Sequence, residues 1–111
     1  MPRLKSETLR GDYAHSRMCT LAGSLSKRSR LGKETYAEVV VRGSSCSYTI
    51  KQFYITLSDN YEGLVAFIHL AGSPAIQIPL DDALQIIATR EGHSIVSPSQ
   101  SLYVKLGDHE L

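Results

Sequence analysis

Between Thr35 and Pro79 the chain passes through four stretches rich in β-branched and apolar residues, separated by turn-forming clusters, and this commits most of its length to a sheet. The first, Thr35 to Arg42 (TYAEVVVR), runs into Gly43-Ser44-Ser45. The second, Ser47 to Leu57 (SYTIKQFYITL), changes phase along its length: Tyr48 and Ile50 share one parity, whereas Phe53, Ile55 and Leu57 share the other. A β-bulge near Lys51-Gln52 accounts for the switch and predicts a bent strand. After the Ser58–Gly63 turn, Leu64 to Ala71 (LVAFIHLA) is apolar on both faces and reads as a central strand. Gly72-Ser73-Pro74 breaks that run, and Ala75 to Pro79 forms the fourth strand. His93 to Ser97 and Leu102 to Leu106 read as two more, joined across Pro98–Ser101.

Helical spacing recurs in two places. Leu80, Ala83, Leu84, Ile87 and Ala88 fall at i, i+3, i+4, i+7 and i+8, with Asp81 and Asp82 as N-terminal caps and Arg90 and Gly92 as C-terminal signals. This predicts a helix over 80–91 that packs on the sheet. Met18, Leu21, Ala22 and Leu25 predict a shorter amphipathic helix within Ser16–Arg28, with Gly23 costing it about 1 kcal/mol.

At 111 residues the chain has the size of one domain and buries about 65% of its unfolded surface, enough for a core without disulfides or a structural metal. The expectation is an α+β fold: a twisted, mainly antiparallel sheet from 35–79 with 93–106 added, packed on helix 80–91. Residues 34–111 form the single domain, and residues 1–33 a basic N-terminal arm carrying the short helix. No apolar run reaches the roughly 20 residues of a membrane helix, and no apolar stretch follows Met1-Pro2-Arg3-Leu4-Lys5 as in a secretory signal. The expected setting is cytoplasmic, without membrane contact, with Cys19 and Cys46 as reduced thiols that no CxxC or His spacing turns into a metal site.

The net charge of +1 conceals a polarised chain. Residues 1–33 carry eight cations (Arg3, Lys5, Arg10, Arg17, Lys27, Arg28, Arg30, Lys33) against Glu7 and Asp12, while residues 34–111 carry four cations against nine acids. Such asymmetry marks a segment suited to a polyanion, although a charge run serves solubility just as well.

Motifs for catalysis are missing: the sequence holds no GxSxG, HExxH, P-loop or GxGxxG. Cys46 could pair with His69 or His93 only if the fold joined them, and a free cysteine more often behaves as a small hydrophobe. Adjacent Asp81 and Asp82 are explained by capping. The expectation is a non-catalytic binding protein without cofactor or metal.

Its leading target is nucleic acid, single-stranded or duplex, held at its phosphates by Arg17, Lys27, Arg28, Arg30 and Lys33, with Lys51, Tyr48 and Tyr54 adding charge and stacking surface from the sheet. Tyr48 and Tyr54 share a face if their strand is regular and lie on opposite faces if it is bulged. Two other classes fit the same features: a small accessory or inhibitor protein whose basic segment meets an acidic protein surface, and a homodimer or larger homo-oligomer closed through an exposed sheet edge.

Overall fold

The computed structural model describes residues 6–107. The elements run β1 (Glu7–Arg10), α1 (Asp12–Arg30), β2 (Tyr36–Val41), β3 (Ser44–Leu57), β4 (Leu64–Leu70), β5 (Ile76–Pro79), β6 (Gln85–Thr89), β7 (Gly92–Ser97) and β8 (Leu102–Leu106), with a single 3₁₀ turn at Pro98–Gln100. The strands form one eight-stranded sheet in the order β1-β6-β7-β8-β2-β3-β4-β5, antiparallel at every pairing. The fold is therefore α+β with the helix packed on the sheet, but the helix is not the expected one.

Residues 80–91 are not helical. Asp81 caps a single turn, its Oδ1 accepting from the Ala83 N–H at 3.0 Å, and the chain then enters β6. The stripe that suggested a helix coexists with a second pattern, Leu84 and Ile86 buried between half-buried Gln85 and Ile87. That alternation is realised because β6 lies between β1 and β7, where both of its edges are hydrogen-bonded: Ile86 pairs with Leu9 on one side and Ile95 on the other. Tertiary pairing outweighs a weak local preference in a segment with two adjacent isoleucines.

The helix belongs to the basic segment. Ala14, Met18, Leu21, Ala22 and Leu25 are all buried, which extends the expected stripe by one turn toward the N-terminus. Their face enters one continuous core with Ala37 and Val39 of β2, Phe53 of β3, Ala66, Ile68 and Leu70 of β4, Ile78 of β5, Ile86 of β6, Ile95 of β7 and Val104 and Leu106 of β8. Burying Met18, Leu21 and Leu25 contributes about 1.5–3 kcal/mol each. β1 is hydrogen-bonded along β6, and only Gly11 separates it from α1, so residues 7–30 are built into the body and are not a tether. The expected division at residues 33 and 34 falls in the connection from α1 to β2.

β3 gives the sheet its shape. The first part of this 14-residue strand pairs with β2, the second with β4, and the register shifts between Ile50 and Gln52. The bulge expected from the phase change is present at Lys51. Before it Tyr48 and Ile50 face the core, and after it Phe53 and Ile55 do. No described helix is long and apolar enough to cross a membrane.

Candidate functional site

Three pieces of chain meet around a cleft of about 510 Å³: the last turn of α1, the connection that follows it, and the bulged middle of β3. Each is held by backbone geometry. At the end of α1 the Lys33 N–H donates to Arg28 O and the Gly32 N–H to Ser29 O, both at 3.0 Å, which is the Schellman arrangement. It requires a left-handed residue, supplied by Gly32 at φ +75°. The turn satisfies carbonyls that would otherwise face the cleft and fixes where Lys33 leaves the helix axis. On the facing wall the Ile50 N–H donates to Thr35 O at 2.8 Å, tying the connection to β3 just before the bulge.

Arg30, Lys33 and Lys51 line this cleft and are exposed; Gln52 and Tyr54 complete its β3 wall. The helix C-terminus favours cations in its last turn, so the position of Arg30 also stabilises α1. Lys51 has no such role, because it stands at the bulge of another element. Among the described residues Glu34 is the one acidic residue lining the cleft, and its Oε2 accepts from the Tyr36 hydroxyl at 2.6 Å. That hydrogen bond, and the carboxylate charge behind it, raise the Tyr36 pKa above its usual value. Beyond Glu34 and Thr35 lies a second, more open groove of about 440 Å³, where Glu34, Tyr36 and Glu38 face Lys105.

The eight expected contact residues divide evenly. Arg30, Lys33, Lys51 and Tyr54 come together at the cleft. Arg17, Lys27, Arg28 and Tyr48 do not. Arg17 is half-buried and spans from α1 to β7, its Nη1 donating to His93 Nε2 at 3.0 Å. The His93 pKa is lowered, first by burial and second by the Arg17 charge, so the acceptor is a neutral imidazole. Arg28 Nε reaches Thr35 Oγ1 at 3.4 Å and helps hold the connection. Lys27 is exposed on α1 outside the cleft lining. Tyr48 packs against the core.

The bulge decides the fate of the two tyrosines. Six residues apart, Tyr48 and Tyr54 would share a face of a regular strand, but the inserted residue turns Tyr54 to the face away from α1, while Tyr48 keeps to the core side. In place of that pair the structure forms an aromatic group across two strands. Tyr54 lies 5.4 Å from its directly paired neighbour Phe67, at 11° between ring planes, and 5.4 Å from His69, at 23°. The Tyr54 hydroxyl and His69 Nε2 are hydrogen-bonded at 3.0 Å. All three rings are half-buried and none belongs to the core cluster. The signal that could have located this group is the Ser58–Gly63 turn: counting outward from Leu57 and Leu64 places Tyr54 opposite Phe67.

Cys46 is exposed in the β2–β3 hairpin, whereas His69 lies on β4 and His93 on β7. Among the described residues, no group of three or more His, Cys, Asp or Glu side chains could hold a metal ion. In comparisons with known proteins, no family model, no curated protein and no solved structure matches this chain.

Proposed function

We propose that the chain is a small non-catalytic nucleic-acid-binding protein of the cell interior, and that it holds the phosphodiester backbone in the cleft between α1 and β3. The observation that carries this reading is the convergence of Arg30, Lys33 and Lys51, from three separate pieces of chain, on one concave surface where Glu34, the one carboxylate among the described lining residues, is engaged by Tyr36. Three ammonium and guanidinium groups there displace condensed counterions from a phosphate backbone, a source of affinity that needs no sequence readout. The β3 wall, at Gln52 and Tyr54, offers a hydrogen-bonding amide and leads to the sheet face that carries the Tyr54 ring, where bases would lie.

The test is fluorescence anisotropy of labelled oligonucleotides, single-stranded and duplex, against the intact protein and the triple variant Arg30→Ala, Lys33→Ala, Lys51→Ala. All three side chains are exposed, so the variant keeps its core. At a slope of about 0.7 per neutralised phosphate, three contacts make the logarithm of affinity fall by about 2 per decade of salt, or close to 20-fold between 50 and 200 mM. The variant should lose that slope and at least tenfold in affinity at the lower salt. Equal affinity and slope for variant and intact protein would remove the cleft as the site. No binding of any oligonucleotide would turn the search to an acidic protein partner.

A further inference from the structure

The aromatic group on the outer face of the sheet begins where the cationic cleft ends. Gln52 and Tyr54 line the cleft and are the cross-strand partners of His69 and Phe67. Tyr54 thus borders the cleft that Arg30, Lys33 and Lys51 line and is also part of the aromatic group, which makes cleft and rings one continuous surface. Tyr54 is the middle ring of three nearly parallel rings, held by its hydrogen bond to His69, and Phe67 and His69 form the ends. A set already stacked and fixed presents a flat π surface that a further planar ring can extend without ordering new side chains. Its half-exposed position outside the core leaves that surface open to solvent.

A base can use such a surface only when it is not inside a duplex. Resting on the nucleic-acid reading of the cleft, we infer that the ligand is single-stranded: an unpaired base continues the Tyr54–Phe67–His69 stack while its neighbouring phosphates lie against Lys51, Lys33 and Arg30. Stacking of this kind accepts every base, because each has a π face, and it adds to the charge contacts without altering their salt dependence.

Two probes of equal charge separate stacking from phosphate binding: oligodeoxythymidylate, and an abasic strand of the same length. Anisotropy is read at one salt concentration for the intact protein, for Tyr54→Leu with Phe67→Leu, and for the triple cation variant. Leucine keeps apolar bulk on the sheet face, and a thermal melt by circular dichroism confirms that the double variant folds. The intact protein should bind thymidylate about tenfold more tightly than the abasic strand. The leucine variant should bind both probes equally, at the affinity the intact protein shows for the abasic one. The cation variant should weaken both alike. Equal binding of the two probes by the intact protein would overturn the stacking inference and leave the cleft in place, as would a duplex that binds as tightly as thymidylate. Failure to bind either probe would overturn both.

Discussion

Replacing Leu21 by alanine tests whether the basic segment is part of the core or an attached arm. Leu21 is 1% exposed, on the helix face that meets the sheet, among residues of β3, β6 and their neighbours that are themselves fully buried. With helix backbone on one side and a hydrogen-bonded sheet on the other, no flexible surface side chain can collapse into the space that the missing carbons leave. The cost should therefore fall in the upper part of the range for buried leucines, about 3–5 kcal/mol. Domains of this size are stable by about 5–15 kcal/mol, so the variant forfeits about a fifth or more of the total. In urea, with m near 2 kcal/mol/M, the midpoint should drop by about 1.5–2.5 M at constant m; on heating, Tm should fall by at least about 12 °C. Leu31, just past the helix end and 63% exposed, is the control, and Leu31→Ala should cost under about 0.5 kcal/mol. Comparable small shifts for both leucines would refute the packing argument, as would a cooperative transition in a fragment lacking residues 1–33.

Gly92 opens β7 at φ +145°, and a methyl group there would press into the backbone carbonyl of Leu106 and stand 3.1 Å from its carbon. Gly92→Ala should cost more than about 3 kcal/mol in denaturant unfolding, against about 1 kcal/mol for Gly43→Ala, which meets nothing; equal effects would contradict the close approach. Burial and Arg17 hold the folded His93 below its ordinary value of about 6.5, so below that pH the unfolded chain takes up the proton first. Stability should fall as pH drops through 6.5, and His93→Gln should flatten part of that fall in a series of melts. In Arg17→Gln, the His93 titration followed by NMR should move up yet stay below the ordinary value, since burial is the larger cause; full recovery would assign the shift to the arginine alone.

The parts of this fold that could be read from the sequence are those whose partners lie nearby in the chain. β2 to β5 follow one another through short turns, so alternation and turn chemistry sufficed, and the phase change in Ser47–Leu57 even located the bulge. β1 and β6 are the opposite case. Glu7–Arg10 is four residues with no alternation to notice, and its partner lies far along the chain, Glu7 meeting Ala88. Without that partner, the 80–91 segment shows a helical stripe as plainly as a strand. The same logic governs the site. Arg30 and Lys33 flank the end of one helix, and their kinship was visible as a charge run; Lys51 joins them through the bulge. Phe67 and His69 join Tyr54 through register across the β3–β4 hairpin, which only counting outward from the Ser58–Gly63 turn brings out.

The strand order also dictates when the molecule can come together. Its first strand needs β6 as its neighbour, β2 needs β8 on its second edge, and the helix between them packs chiefly on β3 and also on β6. As the chain emerges from a ribosome, the β2–β3–β4–β5 meander can pair as it appears, while the amphipathic helix made first has Met18, Leu21 and Leu25 in water until β3, the strand it chiefly packs on, has been made. Contacts this distant in sequence carry a high loop-closure cost and slow the search to the millisecond-to-second range of sheet proteins. Lys27, Arg28 and Arg30 in the last turn of that helix oppose association of neighbouring nascent chains during the interval in which its apolar face is uncovered.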